Sequence, residues 1–254
     1  GENIMLFKEF ENPEKPVVVL LHGGGLSTWE WQPHIEVLQK DFAVVAVTID
    51  GHGEDAEHPF ISIEDSADKL ISYIDDKYHG QVFGICGFCL GGQIAVQALS
   101  LRPDLARCVV LESVNIASSE KRAARSIKMM HTCYPLLQQR WFAKLQSGQY
   151  QVAKENADDF YNNVNGMLVE SLENVYRSSL TFALPPQYKN NTAKALVLCG
   201  TKEKSSMQES ARLLSSAKVD SMLKMIEKAR HGFSMKSPEE YLEIVSRFFR
   251  TVRS

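Results

Sequence analysis

Cys89 sits in Gly87-Phe88-Cys89-Leu90-Gly91-Gly92, and the segments on its two sides differ in kind. Val82-Phe83-Gly84-Ile85-Cys86 before it is an apolar run suited to a buried strand. Gln93-Ile94-Ala95-Val96-Gln97-Ala98-Leu99 after it is rich in good helix formers. A strand that turns sharply into a helix at a nucleophile flanked by glycines is a nucleophile elbow. The turn holds the thiol above the strand ends. Gly87 and Gly91 lack a Cβ, so strand and helix can close tightly around it. The helix begins at the nucleophile, and its positive end favours both a thiolate and an oxyanion formed beside it. The chemistry implied is attack by sulfur on an electron-poor centre, which calls for a base or cationic neighbour.

Other chemistries suit these residues less well. Cys86 and Cys89 form a C-x-x-C pair, the spacing of a redox couple, but Cys86 belongs to the apolar strand and the pair straddles the turn. No Cys/His grouping has zinc-ligand spacing, so neither a metal nor a cofactor is expected. His22-Gly23-Gly24-Gly25 is glycine-rich, yet no phosphate-cradling pattern of the G-x-x-x-x-G-K-[ST] or G-x-G-x-x-G kind follows this strand.

The elements that must position the elbow are legible from the apolar pattern. The 254 residues suit one large domain, with 44% hydrophobic residues to fill a core. A formal net charge of −3 argues against nucleic acid or an acidic membrane surface as the main partner. No apolar run approaches the ~20 residues of a membrane helix. Five cysteines without regular spacing and no signal-peptide pattern point to reduced thiols and a cytoplasmic setting. Strands are expected over 4–10 (an edge strand), 17–21, 43–49, 82–86, 108–112, 195–199 and 222–226, with helices at about 32–39, 63–78, 207–217 and 238–252. Residues 115–188 break the alternation: they carry helical stretches rich in Tyr, Phe, Met and Leu and no convincing strand. The fold class is therefore α/β, a mostly parallel doubly wound sheet, with a core of residues 1–114 and 189–254 and a helical cap over 115–188.

With the elbow, the His-Gly-Gly-Gly loop and the late histidine together, the chain resembles an α/β-hydrolase over nearly its whole length. "GFCLGG" is similar to the elbow of dienelactone hydrolases, and the long insertion to capped esterases and C–C-bond hydrolases. The resemblance implies a nucleophile–histidine–acid triad. His231, in Ala229-Arg230-His231-Gly232-Phe233 after the last strand, stands where the family histidine comes in chain order. The acid is expected in the loop after the strand that follows the cap. Glu203 of Cys199-Gly200-Thr201-Lys202-Glu203 occupies that place, with Glu112 as the runner-up. The oxyanion hole falls to the backbone N–H groups of Leu90 and Gly24, with Gly25 as alternate. The implied activity is hydrolysis of a small ester, thioester or lactone through an acyl-enzyme on Cys89. Two alternatives stand beside it: a serine hydrolase in which Cys89 replaces the serine, and a non-catalytic binding protein of hydrolase shape. Tyr134, Trp141, Phe142, Tyr161 and Phe182 are expected to face the pocket beneath the cap.

Overall fold

A computed structural model describes residues 5–253 of the chain. Seven strands form one sheet: β1 (Leu6–Phe10), β2 (Val17–Leu21), β3 (Ala43–Thr48), β4 (Val82–Phe88), β5 (Ala106–Glu112), β6 (Lys194–Gly200) and β7 (Ser221–Ile226). Their order is β1-β3-β2-β4-β5-β6-β7. Only β1 runs antiparallel, pairing Leu6 with Thr48 and Phe10 with Val44. Of the edge strand expected over 4–10, Ile4 lies outside the described residues.

The central strands β2 to β6 read as near-continuous runs of Val, Ile and Leu because helices cover both faces of the sheet. One face packs on α2 (Ile63–Tyr78), α3 (Leu90–Leu101) and α8 (Ser205–Ser216), through Leu70, Ile74, Ile94, Ala98 and Leu214. The other packs on α1 (Gln32–Leu38) and α10 (Pro238–Arg253), through Ile35, Leu38, Val245, Phe248 and Phe249. A single turn, α9 (Phe233–Lys236), leads from the loop after β7 into α10. In α2 the Ser62 side chain accepts from the Asp65 N–H at 3.1 Å, an N-cap bond at the boundary that the apolar spacing predicts.

Between β5 and β6 the chain runs through α4 (Glu120–Leu137), α5 (Arg140–Gln149), α6 (Ala157–Gly166) and α7 (Val169–Thr181). These helices join neither sheet edge. Their polar side chains grip the loops at the C-terminal ends of β2 and β3 instead. Asn163 donates to the carbonyls of Gly25 (2.7 Å) and Leu26 (2.8 Å) and accepts from the Gly53 N–H at 2.6 Å. Ser171 and Asn174 bond the backbone N–H and C=O of Phe60, each at 3.0 Å. Among the described residues no helix is long and apolar enough to cross a membrane.

Candidate active site

Cys89 has φ 50° and ψ −110°, a backbone conformation that L residues rarely adopt, and it is the residue that caps the start of α3. Its N–H is tied to the Glu112 carbonyl at 2.9 Å. Two close approaches make the turn possible. A Cβ on Gly87 would stand 2.6 Å from the Gly92 Cα, and one on Gly91 would strike the Leu21 carbonyl. The Gly91 N–H in turn donates to the His22 carbonyl at 3.0 Å, locking the helix start to the end of β2.

His231 and Glu203 arrive from the ends of β7 and β6. The imidazole Nδ1 lies 3.0 Å from Glu203 Oε2, with Glu203 almost fully buried (2% exposed) and His231 at 24%. The imidazole is also electrostatically coupled to the Cys89 side chain, while its ring leans on Phe88 with centroids 4.9 Å apart. Burial opposes a charge on His231. Interactions with Cys89 and with the Glu203 carboxylate outweigh it and push the imidazole up to about 10. Burial likewise opposes the charge on Glu203, but the bonds to it hold its carboxyl below the ordinary glutamate range. Besides His231, Glu203 Oε1 accepts from the Ser113 hydroxyl at 2.7 Å and the Gly200 N–H at 2.9 Å. A carboxylate accepting this many bonds is fixed in direction as well as charge.

Cys89, His231 and Glu203 therefore meet at one point above the strand ends. Glu112 does not bond His231. Its Oε1 accepts the Ser234 N–H at 3.1 Å, and burial raises its carboxyl to about 7, against that bond and with the Glu203 charge adding to the rise. Of the two glycines weighed for the oxyanion hole, Gly24 lies against Leu90: a Cβ there would be 3.8 Å from the Leu90 Cβ. Gly25 turns instead toward α6, where its carbonyl is held by Asn163 and a Cβ would meet Val164. The helix start at Leu90 and the Gly24 loop are thus neighbours.

Of the aromatic residues expected at the pocket, Tyr134, Phe142 and Tyr161 pack against the same core as Cys89, and two lie elsewhere. Trp141 is 62% exposed and packs edge-to-face on Phe142, and Phe182 is buried in the core on the α2/α3 face. The Tyr161 hydroxyl reaches the Gln138 carbonyl. Tyr150, at the end of α5, reaches the site. Its ring lies 6.3 Å from that of His231, and burial, Tyr176 and Cys89, in that order, raise its hydroxyl. Two further residues are not marked by any motif: Ser113, which anchors Glu203, and Glu30, which accepts the Gly23 N–H at 3.0 Å. The only sequence signal for either is a polar residue at a strand or loop end beside the motifs. Cys86 is buried and its thiol is pushed up to about 12, so it is a poor redox partner for Cys89. Among the described residues no group of three His, Cys, Asp or Glu side chains could hold a metal ion.

The model of the alpha/beta hydrolase family matches residues 18–244. The chain belongs to the α/β-hydrolase family. Along nearly its full length (95% of the chain, 93% of the relative) it is 27% identical to an (E)-2-((N-methylformamido)methylene)succinate hydrolase of Acinetobacter baylyi. Over 43% of the chain and 39% of the relative it is 36% identical to a pimeloyl-(acyl-carrier protein) methyl ester esterase of Vibrio parahaemolyticus. Among solved structures, a hydrolase from Pseudomonas aeruginosa superposes with a TM-score of 0.82 over 96% of this chain and 93% of that one, at 17% identity. A thermophilic esterase from Thermogutta terrifontis gives 0.80 over 98% and 94%, also at 17% identity.

Proposed function

We propose that this α/β-hydrolase cleaves a carboxylic ester, thioester or lactone through an acyl-enzyme on Cys89. The observation that carries the reading is His231 held by Glu203 at 3.0 Å and electrostatically coupled to Cys89 at the strand ends, with Gly24 packed on Leu90. The names of the relatives above, hydrolases and ester esterases, support the same reaction class.

The raised imidazole favours taking up the Cys89 proton, which frees the sulfur as a thiolate for attack. The thiolate sulfur attacks the acyl carbon, and the carbonyl π electrons move to oxygen, where the N–H groups of Leu90 and Gly24 receive them. As the C–O (or C–S) bond breaks, the imidazolium gives its proton to the leaving group. The neutral imidazole then takes a proton from water, whose oxygen attacks the thioester carbon. Collapse releases the carboxylic acid and restores the thiolate–imidazolium pair. Glu203 keeps the imidazole in one tautomer and stabilises its charge without itself taking the proton.

Helices α4 to α7 act as the lid, and the exclusion of water beneath them strengthens each charge interaction in the site. Tyr150, which lies by His231 and is coupled to Cys89 and Tyr176, and Tyr176 itself shape the acyl pocket. The test is hydrolysis of a panel of aryl esters, thioesters and lactones by the wild-type chain and by Cys89→Ala. Turnover of at least one class that Cys89→Ala abolishes supports the reading. Equal rates in both, or no turnover of any class, overturn it.

A further inference from the structure

Two acids lie under the site and neither belongs to the triad. Glu30 is 3% exposed and Glu112 1%. Each spends one oxygen on a backbone N–H: Glu30 Oε2 on Gly23 at 3.0 Å, Glu112 Oε1 on Ser234 at 3.1 Å. Gly23 precedes the glycine that faces Leu90, and Ser234 follows closely on His231. The second oxygen of each, Glu30 Oε1 and Glu112 Oε2, has no hydrogen-bond partner among the described residues. A buried carboxyl left half-satisfied is destabilising, so a site chosen for stability alone would carry an apolar side chain.

We propose that Glu30 and Glu112 are paired positioning residues, Glu30 holding the oxyanion loop and Glu112 the histidine loop, so that both halves of the site are set from one buried layer. The proposal rests on the reading of Cys89 and His231 given above. The groups around the pair are consistent with a shared layer. Glu30 faces Glu112, Cys89 and His231, and Glu112 faces Glu203 and His231. The charges of Cys86, Glu112 and Glu30 all act on Tyr241, and His34 packs edge-on against Trp31 and Tyr241. Burial pushes the Glu30 carboxyl well up, against the Gly23 N–H, and so favours the uncharged acceptor. An uncharged acceptor is what a glutamine also supplies.

The experiment compares Glu30→Gln, Glu30→Met, Glu112→Gln and Glu112→Met by peptide-resolved hydrogen exchange, by the rate of Cys89 alkylation with iodoacetamide, and by ester turnover. Methionine keeps the volume and removes the acceptor. In Glu30→Met, exchange rises about 10-fold or more in the peptide holding Gly23 and kcat falls with KM little changed, while alkylation keeps its rate. In Glu112→Met, exchange rises similarly in the peptide holding Ser234, and alkylation slows because His231 is no longer aimed at the thiol. The glutamine variants restore both readouts. A rise in exchange spread evenly over the chain, no rise at either peptide, or glutamine behaving as methionine overturns the proposal. Where a methionine variant does not fold, the glutamine variant decides: wild-type exchange at its loop supports the proposal and a tenfold rise overturns it. Exchange and alkylation need no ester, so a chain with the expected local exchange and no turnover keeps the pinning and loses only the proposed activity.

Discussion

The chain's thiols divide by burial. Cys86, Cys108 and Cys199 are buried, and desolvation raises each of them, Cys86 to about 12. Cys89 is half-buried and is electrostatically coupled to the His231 imidazole at a helix start. Iodoacetamide at pH 7 should therefore label Cys89 ahead of all four others, and His231→Gln should slow that labelling by an order of magnitude or more. Peptide mapping of a time course reads both; even labelling of Cys89 and Cys86 in the folded chain contradicts the assignment. Glu203→Gln keeps the shape but lets the imidazole take the wrong tautomer, and kcat should fall by about 10²- to 10⁴-fold. Ser113→Ala should cost less, about tenfold, because Glu203 keeps its Gly200 bond. The meeting of Cys89, His231 and Glu203 was legible because elbow spacing and chain order place them. Ser113 was not, since its role depends on a φ of 54° that turns its hydroxyl to Glu203, and no periodicity reports such a turn.

At the scale of elements, glycines in two of the helices make opposite predictions. Gly91 of α3 lies where a Cβ would strike the Leu21 carbonyl, so Gly91→Ala should destabilise by about 1–3 kcal/mol and displace Cys89. Gly148 of α5 has open space at the Cβ position, and Gly148→Ala should stabilise by about 0.5–1 kcal/mol. Urea unfolding of both variants at one pH measures the contrast. Strands and flanking helices were readable to within a residue or two, because β-branched runs and 3.6-residue spacing reflect burial on both sheet faces. The orientation of α5 was not. Ala143 and Ser147 face inward, which lets α5 sit close to α6, and this turns Trp141 and Leu145 outward. Bulk alone misplaced Trp141. Tyr150→Phe and Tyr176→Ala should accordingly shift the preference between short and long acyl chains, whereas Trp141→Ala should leave it within about twofold.

For the molecule as a whole, the buried acid layer makes stability depend on pH. Glu112 has its folded pKa raised to about 7 from an ordinary 4.5, so the folded state holds this proton more tightly than the unfolded one. Stability from Glu112 is then fully present below about pH 4.5 and is lost as pH rises through 7. The loss amounts to about 3 kcal/mol at most, since each tenfold gain in proton affinity is worth ~1.4 kcal/mol. Relative to the wild-type chain, Glu112→Gln should gain stability between pH 5 and pH 8 by urea unfolding. Parallel pH profiles for the two proteins would contradict a carboxyl that holds its proton into this range. The same layer joins the two sides of the site, which come from chain segments about 200 residues apart: Glu30 sits after β2, and Ser234 after β7. Local pattern could not disclose that pairing, because neither carboxyl shares an element with the N–H it accepts.

The central claim is that Cys89 carries the acyl group, and rapid-quench mass spectrometry of the intact chain during turnover of an activated aryl ester tests it most directly. The account predicts one acyl mass added per chain, mapped to the peptide holding Cys89, decaying at the rate of product release and absent in Cys89→Ala. It also predicts a slower decay in Glu203→Gln, since the same imidazole must activate the water. An acyl group that maps to another residue, or turnover that persists in Cys89→Ala with no adduct at any time, would contradict it.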